Sequence, residues 1–484
     1  MSDKMIYTHR YIARVVLQAE TPLFVGSGET SLLKDALVHR DTHDFPMIQG
    51  PSLAGVLRHS LEDGLSEKDE KWNSFFGYQS TQGNKGLGSQ VKISSAYLVL
   101  ENGKVAEGLN PNFDVSEYKK FFENLPSRQH VRINEKGVAQ KNALFDNEVV
   151  YKGCRFLFEV ELKGTEKDKD LWNEFLNQLK SPLFRIGQGT RNGYGNLSVI
   201  EFKTKVFDLE NGDFDAYLNF DNSLNAKNDC LHDFDLIKKD DLIHYKLVLK
   251  PENFFMFGAG YGDSEVDNVP VTEDVISYDA NNTLQKPQKQ TLIPASSIKG
   301  ALSHRTAFHY NKLNGLKAEL FKNQFDKIAK IYTGINNLAV SELFGAQEGA
   351  EETKPVETHK VEKQPVGMRG KIIMNDILLD ASYKVGDKIF NHVAIDRFTG
   401  GAMDGALFSE KVSYFEDENK VIELDIFVEK AGVSDIVFSA FKDTLEDVCK
   451  GLLPLGGMTT KGHGIFTGKL FINEELKYDY EAKN

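Results

Sequence analysis

Apolar and polar residues alternate through YIARVVLQAE at 11–20, and the same alternation returns in HYKLVLKPE at 244–252. A period of two is the pattern of a strand with one face buried. Each strand runs into a glycine turn, Phe24-Val25-Gly26-Ser27-Gly28 in the first half and Met256-Phe257-Gly258-Ala259-Gly260 in the second. A helical period follows in IQGPSLAGVL at 48–57 and IPASSIKGAL at 293–302, where Ser52 and Ser297 stand as candidate N-caps. Phe75-Phe76-Gly77 then answers Leu343-Phe344-Gly345, and VRINEKGVAQKNALFDNEV at 131–149 answers VAIDRFTGGAMDGALFSEKV at 393–412. Amphipathic helices built on Leu171, Trp172, Phe175, Leu176 and Leu179, and on Val437, Phe441, Leu445 and Val448, end in glycine-rich loops, LFRIGQGTRNGYG and LLPLGGMTTKGHG.

So many landmarks in one order make the chain two diverged copies of one unit. Each copy reads strand, helix, strand, long irregular hairpin, strand, helix, glycine loop, strand. The expected fold class is α+β: two ferredoxin-like, RRM-like βαββαβ domains, whose antiparallel sheets carry helices on one face and can offer the other to RNA. The expected division is residues 1–205, an acidic linker at 206–241, and residues 242–484. Residues 77–90 and 346–366 fall at equivalent places and read as flexible loops.

The net charge of −13 argues against an indiscriminate polyanion binder, but much of the excess acid lies in 206–241 and 346–366. Three scattered cysteines, Cys154, Cys230 and Cys449, suit neither a zinc site nor a disulfide framework. The start, MSDKMIYTHR, has no apolar stretch of signal-peptide length, and no apolar run is long enough to cross a bilayer, so no membrane association and a cytoplasmic location are expected. The His39/His43 and His304/His309 spacings do not suit a zinc site, and no GxxxxGK[ST], GxSxG or HExxH pattern occurs.

Two groups of residues can carry chemistry. In the glycine loops, Gly187, Gly189 and Gly193 with Arg185 and Arg191, and Gly456, Gly457 and Gly462 with Lys461 and His463, combine backbone approach with cations, a pattern for phosphate. A tight helix-to-strand connection is the plainer reading of either loop alone. At the first helices, Ser52 and Arg58, and Ser297, Lys299, His304 and Arg305, form candidate anion sites. The second group is acidic: Asp35 in LLKDALVHRD, preceded by Lys34 and followed by Arg40, both candidate RNA contacts, is a candidate general acid, general base or ligand for a hard divalent ion, against the alternative of a solvated loop acid.

The series of motifs, from P-x-I-x-G-x-S-L-x-G-x-L-R at 46–58 to I-D-R-x-T-G-G-A-x-x-G-A-L-F at 395–408 and the terminal glycine loop, resembles CRISPR RAMP proteins over nearly the whole chain twice. It is most similar to backbone subunits of type III effectors, in the fused double form of type III-D variants. The resemblance implies domains with a palm and a thumb hairpin that stack along a guide RNA, with an acidic loop beside each thumb that cuts complementary target RNA using Mg²⁺ or Mn²⁺, leaving 2′,3′-cyclic phosphate and 5′-hydroxyl ends. It implies as partners other RAMP backbone subunits, a large polymerase/cyclase-like signalling subunit and a small subunit. By position it makes Asp35 the catalytic acid and possible metal ligand of copy one, the 131–145 and 393–408 segments the thumbs, and Arg132 and Arg397 RNA contacts. The acidic loop of copy two, residues 262–279, is longer and offers Asp267, Glu273 and Asp274; counting back from Asp279 selects Glu273, or Asp274 with a one-residue gap. A purely structural guide-binding subunit is the alternative. A guide-processing nuclease is less favoured, because those relatives rely on a histidine and no histidine is evident in both copies.

Overall fold

The structure is a computed structural model that describes residues 7–31, 34–61, 70–79, 86–113, 117–133, 138–237, 241–317, 319, 332–346 and 367–483. Most of the 346–366 loop, residues 80–85 and the tip of the first hairpin at 134–137 lie outside the described residues.

In the first half, the strand His9–Ala19 pairs antiparallel with Arg155–Gly164 on one side and Leu197–Asp208 on the other, and Val91–Ile93 adds outside Arg155–Gly164. The second half repeats this order: Leu242–Pro251 lies between Ile422–Glu429 and Phe466–Ile472, and Ile372–Met374 adds outside Ile422–Glu429. Fourth, first, third, second is the strand order of a βαββαβ sheet, and helices Gly50–Leu61, Lys169–Asn177, Ala295–Leu313 and Asp435–Cys449 supply the two helices of each half. A two-stranded hairpin leaves each half between its second and third sheet strands: Ser127–Ile133 with Ala139–Glu148, and Val385–His392 with Phe408–Phe415. The alternating burial of Arg155–Gly164 puts Phe156, Phe158, Val160 and Leu162 against Trp172 and Phe175 in the first core. Leu247, Leu424 and Ile426 meet Leu302 and Phe441 in the second.

The stretch read as an acidic linker is not free chain. Residues 206–208 complete the strand Leu197–Asp208, and the residues after it fold back over the outer face of the first sheet. Arg14, on that face, donates to the Ala226 and Asp221 carbonyls at 2.8 Å each and to Glu159 at 2.9 Å, with its guanidinium 5.1 Å over the Phe220 ring. Phe220 packs with Ile12 and Phe207, and Leu224 with Val16, Val99 and Val105. Among the described residues this face is therefore covered over the first strand, and Tyr11–Leu17 is buried on both sides despite its alternating sequence.

The long acidic loop of the second half also does structural work. Its distal part, residues 275–285, lies across the first half: Lys152 bridges to Val275, Ile276 N–H donates to the Lys152 carbonyl at 2.9 Å, and Tyr278 Oη donates to the Val99 carbonyl at 2.6 Å. Ile276 and Leu284, each 2% exposed, are members of the first half's core. A Cβ on Gly153 would fall 1.8 Å from the Ile276 carbonyl oxygen, and Gly153 has φ +91°, so this close approach demands glycine.

Candidate functional site

Both acidic loops are held to the glycine turns by one ladder. Gly26 bridges Val38 as Gly258 bridges Pro270, Ser27 N–H reaches the Leu37 carbonyl as Ala259 N–H reaches Val269, and His39 N–H reaches Val25 as Val271 N–H reaches Phe257. In that register the counterpart of Asp35 is Asp267, and Asp41 stands where Glu273 does. Counting back from Asp279 misplaces the acid because it crosses residues 275–285, which reach the first half.

The two aspartates are exposed and anchored alike to the returning strand of the hairpin. Asp35 N–H donates to Asp146 Oδ1 at 2.8 Å and Asp146 N–H returns a bond to Asp35 Oδ2 at 3.0 Å. Asp267 N–H donates to Ser409 Oγ at 3.1 Å, while Ser409 N–H and Oγ donate to Asp267 Oδ2 at 2.8 and 2.9 Å. Those bonds hold the Asp267 carboxyl below the usual carboxylate range. Neighbouring ion pairs fasten each loop with opposite polarity. Glu148 takes Lys34 at 2.9 Å and Arg40 at 3.2 Å, whereas Lys411 is held by Asp263 at 3.0 Å and Glu265 at 3.4 Å.

Glu273 and Asp274 do not join this site. The Glu273 carboxylate is buried against Arg128, which also pairs with Asp376, and Arg128 stacks 4.7 Å from the Tyr194 ring centroid. Burial opposes the Arg128 charge, but Asp376 and Glu273 outweigh it and raise its pKa. Asp274 is half-buried beside Glu273, in the strand Thr272–Val275.

Several residues expected at phosphate are instead used inside the protein. Arg185, 4% exposed, reaches Asn375 across the domain junction at 2.6 Å, and Arg191 pairs there with Glu429 at 2.7 Å. Lys299 donates to Asn192 at 3.3 Å, and burial with Arg191 nearby pushes its pKa down to about 8. Arg58 ties its helix to Gly77 and Asn73, Arg305 pairs with Asp447, and Lys461 lies 3.6 Å from Glu410. The glycine loops are close-packing joints: a Cβ on Gly187 or Gly456 would lie 2.3 Å from the Phe24 or Met256 carbonyl oxygen, and Gln188 and Gly457 donate to those carbonyls at 2.8 and 2.7 Å. Gly189 abuts the Tyr194 ring, Gly193 abuts Asp376, and Gly462 takes φ +88° in an open turn. His463 is 7% exposed. Ser52 and Ser297 are not N-caps, since their helices begin at Gly50 and Ala295; Ser95 Oγ and Asp376 Oδ1 accept from those first N–H groups. Arg132 and Arg397 are exposed on the hairpins and His304 on its helix, and Phe398 beside Arg397 is 99% exposed.

A divalent ion at this place would rest on few ligands. Among the described residues no three His, Cys, Asp or Glu side chains cluster as a metal site. The first half offers the Asp35 and Asp146 carboxylates, whose oxygens already accept from Asp146 N–H, Asp35 N–H and Ser127 Oγ. The second half offers Asp267 and the Ser409 hydroxyl.

Sequence reasoning passed over Asp146, Ser409 and a histidine pair. His130 and His392 stand at matching positions, one residue before the aligned hairpin segments that begin at Val131 and Val393, so extending that alignment by one residue reveals them.

This duplicated arrangement has a family. Residues 16–198 and 277–467 each match the model of the RAMP superfamily, and the chain belongs to that superfamily, with the domain present twice in tandem. Over 163 residues, 31% of its length, it is 25% identical to the CRISPR system Cmr endoribonuclease Cmr4 of Pyrococcus furiosus. The chain spans about half of that relative, 54% of its length. Among the described residues no helix is long and apolar enough to cross a membrane.

Proposed function

We propose that the chain is a double backbone subunit of a type III CRISPR ribonucleoprotein, which binds guide RNA and cuts complementary target RNA at two places. The observation that carries this reading is the paired anchoring of Asp35 and Asp267, each an exposed acid bonded to the backbone of a projecting hairpin strand. The similarity to an endoribonuclease of a Cmr system supports it. In this reading the hairpins are thumbs that cross the guide–target duplex, with Arg132 and Arg397 on phosphates. The partners are other RAMP subunits, a large polymerase/cyclase-like subunit and a small subunit, in the cytoplasm. Asp35 and Asp146 would hold hydrated Mg²⁺ or Mn²⁺, which supplies charge neutralisation at the scissile phosphate. The carboxylates orient the target strand so that its 2′-hydroxyl stands in line with that phosphate.

The test is cleavage of end-labelled complementary RNA by the assembled complex. Asp35→Ala should remove one cut and Asp267→Ala the other, with target binding retained and both cuts lost on chelation. Full cleavage by both variants leaves a guide-holding subunit without catalysis.

A further inference from the structure

The two halves treat one edge of their sheets differently. In the second half the edge strand Phe466–Ile472 is covered from Thr467 onward: Lys450 bridges to Thr467, Tyr480 N–H donates to the Gly468 carbonyl at 3.2 Å, and Glu475–Asp479 pairs with Lys469–Ile472. The counterpart in the first half is Leu197–Asp208, where only Lys203 and Thr204 gain an outer partner, the two-residue strand His232–Asp233. Among the described residues, Ser198–Phe202 has a strand on one side alone. Its open side carries hydrogen-bonding groups. Glu20 N–H donates to the Asn196 carbonyl, so in this antiparallel pair Ser198 turns its backbone groups to Gln18 and Val199 points its N–H and carbonyl outward. Gly468, whose carbonyl Tyr480 takes, stands opposite Leu249 as Val199 stands opposite Leu17.

A cleft of about 740 Å³ opens beside this edge, between the first half and the outer face of the second sheet. Phe234 and Phe427 give it apolar walls, and Ile200, 42% exposed, lines it as well. Ile200 is the extra residue of a bulge, since Leu17 pairs with Val199 and Val16 with Glu201. Bulges commonly turn an exposed edge away from other chains, but this one brings an apolar side chain to the cleft. The rim is acidic. Glu201 pairs with Lys203 and Asp425 with His244, each at 2.7 Å, while Asp233 and Asp235 are exposed and in no ion pair among the described residues. The neighbouring cations are engaged: Lys180 donates to the Leu236 carbonyl at 3.0 Å, and Arg185 to Asn375. Such a rim repels phosphate and attracts a cationic chain. Outward backbone groups, apolar walls and unpaired acids together fit an extended polypeptide in which apolar residues alternate with lysine or arginine.

We propose that the cleft beside Ser198–Phe202 is a docking groove for a basic, extended segment of a partner protein, which adds to the first sheet as a further strand. The segment bonds to the N–H and carbonyl of Val199, much as Tyr480 bonds to the carbonyl of Gly468 within the second half. Its apolar side chains lie between Phe234 and Phe427, and its cations face Asp233 and Asp235. Five edge residues take up about 17 Å of strand, a length that a tail or linker supplies without a folded domain. The groove shares no residue with Asp35, Asp267 or their hairpins, so this inference stands or falls apart from the cleavage reading.

The experiment selects displayed random octapeptides on the full chain, with counter-selection on Val199→Pro. Proline there removes the outward N–H and keeps the bonds to the first strand, as edge strands tolerate; matching circular dichroism and urea unfolding verify the fold. Selected peptides should alternate apolar residues with Lys or Arg. The lead peptide should bind Val199→Pro about tenfold more weakly, the worth of one edge hydrogen bond, and lose at least as much when its alternate amides are N-methylated. Asp233→Asn with Asp235→Asn should weaken it by about threefold or more. If Val199→Pro unfolds, the N-methylated peptide tests the same bonds from the other side. Peptides that fail to separate parent from variant, a selected set without Lys or Arg, or a lead indifferent to N-methylation overturns the proposal. Slow hydrogen exchange at the Val199 amide in the chain alone also overturns it, because the chain then covers its own edge. Binding of labelled oligouridylate that Val199→Pro abolishes gives the groove to RNA instead.

Discussion

Replacing Arg128 should uncouple the halves, and the structure gives the size of the effect. Arg128, 7% exposed, is the counter-charge for two buried carboxylates from the other half, Glu273 at 6% and Asp376 at 6% exposure. Arg128→Met keeps the bulk of the side chain but leaves both acids without a cation, a loss of about 3–5 kcal/mol. Both tryptophans, Trp72 and Trp172, are buried in the first core, so their fluorescence follows the first half, while far-ultraviolet circular dichroism follows both. In the parent the two signals should unfold together in urea. In Arg128→Met the tryptophan transition should fall to lower denaturant and separate from the dichroism. Burial already raises the Glu273 pKa, and without Arg128 the counter-charge that lowers it is gone, so the variant's deficit should shrink as the pH is lowered. Adding Glu273→Gln and Asp376→Asn should recover most of the loss, because no charge is then stranded. A single variant within about 1 kcal/mol of the parent, well under the range for a broken buried pair, or a triple variant no better than the single one, refutes the reasoning.

Two further outcomes are expected. Gly153→Ala should displace residues 275–285 from the first core, costing about 1–2 kcal/mol from the positive φ alone and more from the clash with the Ile276 carbonyl, read as an earlier tryptophan transition. Acid should loosen the first hairpin: the folded state lowers the His130 pKa beneath its ordinary 6.5, so the stability present above that value is lost as pH falls through the folded pKa, and His130→Gln should flatten that part of the stability–pH curve.

The repeat and the order of its elements were legible because periodicity and glycine turns are local signals. The counterpart of Asp35 in the second copy was legible only as one of three, beside Glu273 and Asp274, and the count favoured the other two. Asp267 lies next to a segment whose extra residues serve the neighbouring half, and a count from the far end passes through them. Arg185 and Arg191 look like phosphate ligands in a glycine loop, and only the placing of Asn375 and Glu429 reveals that they face a domain junction. The first sheet looked open because its alternating strand says nothing of a later segment that returns to cover it.

Ile276 and Leu284 belong to the core of a half whose own sheet is complete by Asp233. On the ribosome, the first half therefore stays incomplete after its last strand has emerged, with an apolar trough beside Val99 and Leu100 waiting for residues synthesised much later. Cutting the gene after residue 205 or 241 would make that trough permanent, so the two copies, although each resembles a whole domain, are poor candidates for separate expression. A divided version should keep residues 1–287 together and give up a self-sufficient second piece.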